Sequence, residues 1–108
     1  MAVQVLTGSK ATRIARAAHI AVVVFSSKNC QPCKPHRKAL EAVAEKNDEG
    51  AVDWFYLDVD ECDGDEIADA IKSVPSTRIY VNGEEGASRT GQMGVAELRE
   101  FVRSKIIK

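Results

Sequence analysis

A chain of 108 residues with 44% apolar and 29% charged residues is long enough for one core and too short for two, which points to a single domain over residues 1–108. The formal net charge of −1, with both signs interspersed, excludes the basic footprint of a nucleic-acid binder. The start, MAVQVLTGSKATRIARAAHIAVVVF, lacks the charged-then-apolar order of an export signal. The longest apolar run, Ile20–Phe25, is far too short to span a bilayer. The expectation is an unexported cytoplasmic protein with no membrane partner.

In chain order, Val3–Leu6 reads as a short strand. Thr7-Gly8-Ser9 is a break, and Ser9 is placed to cap a helix over Ala11–Ala18. Ile20–Phe25 is six consecutive apolar residues, four of them β-branched, the signature of a central strand buried on both faces. A helical pattern from Pro32 to Lys46 follows, with Leu40, Val43 and Ala44 on its inner face. Pro35 falls near the start of that helix, where an irregular beginning or a kink is expected. Asp48-Glu49-Gly50 is a break, and Ala51–Val59 is a second strong strand whose Trp54, Phe55 and Tyr56 read as core. Asp63 and Glu66 have the spacing of a capping box opening a helix to about Lys72. Ser76–Val81 is a third strand, in which Arg78 has to be paired or reach solvent. Asn82-Gly83 signals a tight hairpin turn, after which a short strand near Ala87–Thr90 pairs back. Val95–Ile107 is a final amphipathic helix with Val95, Leu98, Val102 and Ile106 on one stripe.

Strands alternating with helices in the order β-α-β-α-β-α-β-β-α predict an α/β fold. Its mixed five-stranded sheet is mostly parallel, flanked by four helices and finished by an antiparallel hairpin. The stretch KNCQPCKPH (28–36) then lies just beyond the C-terminal end of the buried central strand, where open α/β sheets place their chemistry.

The three cysteines, Cys30, Cys33 and Cys62, are an odd number and argue against a fully paired framework. In a reducing compartment a C-x-x-C pair is catalytic or metal-binding rather than structural. Thiolate is the attacking species in disulfide exchange, and a helix N-terminus stabilises it through free N–H groups and the dipole. Cys30 lies at that end, with Lys28 and Lys34 adding positive charge, and Cys33 sits about a turn further in, more shielded. An exposed attacking thiolate and a sheltered resolving thiol make a two-step exchange device. The uncharged Gln31-Pro32 between them, with no histidine, favours a reductant.

The chain resembles the thioredoxin family over nearly its whole length. The resemblance rests on CQPCK after a buried strand, DVDE (58–61), SVPS (73–76), NGE (82–84), Gly91 and a terminal helix. It implies the thioredoxin fold, with Cys30 as nucleophile and Cys33 as resolving thiol. Pro32 and Lys34 shape the helix start, and a cis Val74–Pro75 bond presents Val74 to substrate. Asn29, Gln31, Val74, Pro75 and Gly91 form the docking face. It implies a monomer acting on protein disulfides, supplied by a thioredoxin reductase or a small thiol, with no bound cofactor beyond the redox-active cysteine pair.

Two departures from the family pattern stand out. Asn29 and Gln31 replace a tryptophan and a glycine, and Ser26 an aromatic, which predicts a more polar docking face. The family's buried aspartate and its lysine companion align with Val24 and Tyr56, so Cys33 lacks its usual proton acceptor. His36, three residues beyond Cys33 and therefore its neighbour on a helix, is the candidate substitute; the plainer reading is a surface histidine.

Other readings remain for these residues. Cys30, Cys33 and His36 with Cys62 would suit tetrahedral zinc, although no second ligand pair accompanies them. Cys62 by itself reads as a free loop thiol or an exposed regulatory one. A glutaredoxin-like reductant, or a non-catalytic accessory subunit, shares the fold. His19 reads as a helix-end or surface residue.

Overall fold

The computed structural model describes residues 3–46 and 52–106. Five strands, β1 (Val3–Leu6), β2 (Ile20–Ser26), β3 (Val52–Asp58), β4 (Ser76–Val81) and β5 (Glu84–Thr90), alternate with four helices, α1 (Ala11–Arg16), α2 (Cys33–Glu45), α3 (Glu66–Asp69) and α4 (Val95–Ile106). The order across the sheet is β1-β3-β2-β4-β5, so β2 is central. It pairs parallel with β3 and antiparallel with β4.

The apolar run of β2 is explained by its two covered faces. Successive side chains of a strand point to opposite sides. Val22 and Val24 accordingly join Trp54, Tyr56, Leu40, Val43, Leu98 and Val102 beneath α2 and α4. Ala21, Val23 and Phe25 join Phe55, Leu57, Ala11, Ala15 and Ala68 beneath α1 and α3. The result is a helix–sheet–helix sandwich around two apolar layers. Among the described residues no helix is long and apolar enough to cross a membrane.

Several predicted boundaries shift, each for a local reason. The α1 helix stops at Arg16 rather than Ala18, because the Ala17 and Ala18 N–H groups reach back three residues, to the Ile14 and Ala15 carbonyls, and tighten the last turn. Ser9 does not cap it; the residue before the helix is Lys10, with no side-chain cap. The cap comes from far along the chain: Asp65 Oδ2 accepts the Thr12 N–H at 2.8 Å. Asp65, not Asp63, also caps α3, accepting from the Ile67 and Ala68 N–H groups. Asp63 cannot do so because Gly64 behind it has φ +90°, a left-handed turn that keeps the chain out of helical geometry until Asp65. The α3 helix ends at Asp69, well short of Lys72. Val59 leaves β3 for a short 3-10 helix, Val59–Glu61, capped by Asp58. The predicted break at Asp48–Gly50, Ala51 and Ile107 lie outside the described residues.

The hairpin is longer than its sequence suggests. Asn82 and Gly83 both have positive φ, 52° and 87°, the primed turn whose twist matches paired strands, so pairing starts at once with Val81 opposite Glu84. Ile79 faces Ala87 and Tyr80 faces Glu85, which leaves Gly86 in a bulge. His19 is exposed, as read, and anchors the turn: its Nδ1 is 2.7 Å from Asn82 Oδ1. Arg78 is paired as its position demands, with Glu85 at 3.1 Å, and lies over the Phe25 ring. On α4, Leu98 and Val102 are buried, whereas Val95 is 39% exposed, at the helix start and off the sheet.

Candidate active site

The chain leaves β2 at Ser26 and turns through Ser27–Pro32 into α2. The helix begins at Cys33, with Pro32 as its cap residue at φ −68°, so Cys33 is the first helical residue rather than one a turn further in. That start also accommodates Pro35. It is the third residue of the helix, where a backbone N–H would have no intrahelical partner. Cys30 and Cys33 are joined as a disulfide with Cα atoms 5.3 Å apart. Cys30 is 9% exposed and Cys33 2%, the order of access that the exchange scheme requires.

The antiparallel register of β2 and β4 places Phe25 opposite Ser76; one step on, Pro75 is level with Ser26, where β2 ends. The Val74–Pro75 peptide is cis, as the resemblance implies. Pro75 is buried and Val74 half-buried. The Pro75 carbonyl accepts the Gly91 N–H at 2.8 Å, so the Gly91 turn (φ +108°) is tied to the same end of the sheet. Asn29, Gln31, Pro32 and Lys34 are exposed. Ser26 is not part of any outer face. It is 1% exposed, and its hydroxyl donates to the Leu57 carbonyl.

Lys28 does not act as a free charge beside Cys30. Its Nζ lies 3.1 Å from Glu61 Oε1, and its backbone N–H donates to Asp60 Oδ2 at 3.2 Å. The hydrogen bond and charge of Glu61, with Asp58 and Asp60 behind, raise the lysine pKa above its ordinary value. Parallel neighbours end at the same edge, so the loop after β2 meets the acidic loop after β3. The sequence contained that signal once β2 and β3 were placed side by side.

Val24 and Tyr56, the positions aligned with the family's aspartate and lysine, are direct register partners. Val24 is fully buried. Tyr56 carries the Arg37 guanidinium 4.4 Å above its ring centroid, a cation–π contact in place of a buried ion pair.

His36 is neither on the surface nor available to Cys33. Its ring is wholly buried, and burial pushes its pKa below the ordinary imidazole value. Nδ1 accepts the Met93 N–H at 3.0 Å, and Nε2 lies 2.8 Å from Thr77 Oγ1. Both ring nitrogens are engaged, which leaves no lone pair to take the Cys33 proton. Thr77 and Met93 were not singled out in the sequence, because nothing local connects them to position 36.

Cys62 is likewise internal. It is fully buried with Phe25, Leu57 and Ala68 on the α1/α3 side of the sheet, not an exposed regulatory thiol, and burial raises its pKa. The zinc reading fails on this geometry, since Cys62 and His36 belong to opposite layers. Among the described residues no three His, Cys, Asp or Glu side chains converge on a metal position. Oxidised native protein should therefore give almost no rapid reaction with Ellman's reagent and release the one Cys62 equivalent only in guanidinium. A fast native equivalent would contradict the burial.

The family model for Thioredoxin matches residues 3–104. Among solved structures, a mutant thioredoxin from Halobacterium salinarum superposes with a TM-score of 0.81 at 19% identity, covering 96% of this chain and 90% of that one. A Malassezia sympodialis thioredoxin gives the same score and coverage at 20% identity.

Proposed function

This chain belongs to the thioredoxin family and, with its Cys30–Cys33 disulfide, to the thiol-disulfide oxidoreductases in general type; we propose that it works as a dithiol reductant of protein disulfides. The observation that carries the proposal is the paired cysteines at the end of buried β2, level with the Pro75 segment and with Cys30 the more accessible. In the reduced protein the Cys30 thiolate attacks one sulfur of a substrate disulfide. A mixed disulfide forms, and the other substrate sulfur leaves as a thiolate. Cys33 then gives up its proton and attacks Cys30 Sγ, the Cys30–Cys33 bond forms, and the second substrate sulfur leaves. Two electrons pass to the substrate, and a reductase or small thiol restores the dithiol.

Neither Val24 nor His36 offers Cys33 a base. The substrate thiolate released in the first step serves instead, as the base on hand when Cys33 gives up its proton. Exposed Asn29 and Gln31 with Val74, Pro75 and Gly91 form a polar docking rim. The protein acts as a cytoplasmic monomer without a bound cofactor.

The test is dithiothreitol-driven insulin reduction with wild type, together with Cys33→Ser, which accumulates a mixed disulfide at Cys30. A wild-type rate no faster than dithiothreitol alone, with no adduct in the variant, would favour an accessory subunit instead.

A further inference from the structure

We infer that His36 is a positioning residue for the disulfide site, bolting the helix that carries Cys33 to the two segments that form the Pro75–Gly91 rim. The inference rests on the disulfide-exchange reading of that site. The donor roles around the ring are forced. The Met93 backbone N–H can only donate, so Nδ1 must present a lone pair, and the neutral ring carries its proton on Nε2 and donates it to Thr77 Oγ1. Each partner stands two residues from a rim residue: Thr77 follows Pro75, and Met93 follows Gly91. The Gly91 N–H to Pro75 carbonyl bond joins those two segments directly. The links run from Cys33 along α2 to His36, across to Thr77 and back to Pro75, then through Gly91 to Met93 and to His36 again. That closed ring ties α2 to the Pro75 and Gly91 segments, while the Ser27–Pro32 loop is joined to it through the Cys30–Cys33 disulfide and the acidic loop after β3 stands outside it.

An apolar side chain at position 36 would fill the same space but could direct neither bond. The neighbours show that filling alone is available here: Val24, in register with Thr77, is apolar and fully buried. What the imidazole adds is direction, a fixed distance from α2 to both rim segments. A reductant whose substrate pairs with the rim needs that distance held before the substrate arrives, because an ordered rim lowers the cost of docking.

The experiment compares wild type, His36→Leu, His36→Gln and Thr77→Val. In wild type, long-range nitrogen–proton NMR should show His36 as the Nε2–H tautomer at pH 7; an Nδ1–H or doubly protonated ring overturns the inference without any variant. In His36→Leu, hydrogen-exchange protection of the Gly91 and Met93 amides should fall about tenfold or more, with the β2 amides of Val22 and Val23 unchanged. Thr77→Val should show a smaller loss, and His36→Gln, whose amide can both accept and donate, a partial recovery. KM for insulin should rise about fivefold in His36→Leu while kcat and the alkylation rate of Cys30 stay within about twofold. Unchanged rim protection, or a uniform loss across the sheet, overturns the inference. A wild type that reduces no insulin sinks the reductant reading alone, since the tautomer and exchange measurements still decide the role of His36.

Discussion

Replacing Cys30 with serine should reduce insulin turnover to the rate of the reductant alone, a loss of at least about a thousandfold, or about 4 kcal/mol of barrier. A serine hydroxyl is essentially un-ionised at neutral pH and cannot form the mixed disulfide through which the electrons pass. No other thiol can substitute. Cys33 is 2% exposed and Cys62 is fully buried in the opposite layer, so neither reaches an external disulfide. Cys33→Ser should behave differently, keeping the first attack and losing the second. It turns over poorly yet carries one substrate adduct per chain, readable as a mass increase that dithiothreitol removes. Substantial insulin reduction by Cys30→Ser would overturn the assignment of the attacking thiol.

Asp65→Ala should be the most destabilising single change outside the apolar core, lowering stability by roughly 3 kcal/mol. One carboxylate, 2% exposed, accepts from the Thr12 N–H and hydroxyl at the start of α1 and from the Ile67 and Ala68 N–H groups at the start of α3. Alanine leaves these buried donors unpaired at two helix ends. On a domain of this size the loss corresponds to a fall in Tm of about 10–20 °C, measurable by circular dichroism. Asp65→Asn, which keeps one acceptor oxygen, should lose about half as much.

The same group gives a signed pH dependence. Burial alone would push its carboxyl up, but the bonds from Thr12, Ala68 and Ile67 outweigh burial and hold the pKa below the ordinary carboxylate value. A depressed native pKa means that the unfolded chain takes the proton first. The contribution of Asp65 is therefore complete above about pH 4 and drains away as the pH falls through its native pKa. In the alanine variant that part of the acid-induced loss should disappear. A variant as stable as wild type, or one with an unchanged acid limb, would contradict the double-cap role.

The strands show why so much of the fold was legible. Val3–Leu6 and Ser76–Val81 appear at their predicted bounds, and β2 only adds Ser26. Their signals are local: β-branched runs, turn residues, and a strand buried on both sides. The caps were misread because a cap is chosen by geometry as well as by residue type. Asp63 and Ser9 have suitable chemistry, but the positive φ of Gly64 hands the role to Asp65, and the fold then brings Asp65 to α1 from 53 positions away.

The same division runs through the site. By itself the sequence determined the α/β order, the buried strand and the C-x-x-C pair at its end, because each is written in contiguous residues; the cis Val74–Pro75 bond was legible only through the family resemblance carried by SVPS. It also showed that Val24 and Tyr56 hold no buried ion pair. Only the tertiary structure decided what the flanking charges and the extra polar residues do. Lys28 is answered by Glu61. Cys62 is sealed in the opposite layer. His36, three residues from Cys33 and readable from the sequence as a candidate base or a surface residue, turns inward to partners 41 and 57 positions away. Which lone pairs and charges are free depends on neighbours that the chain brings together only when β2, β4 and α2 have packed.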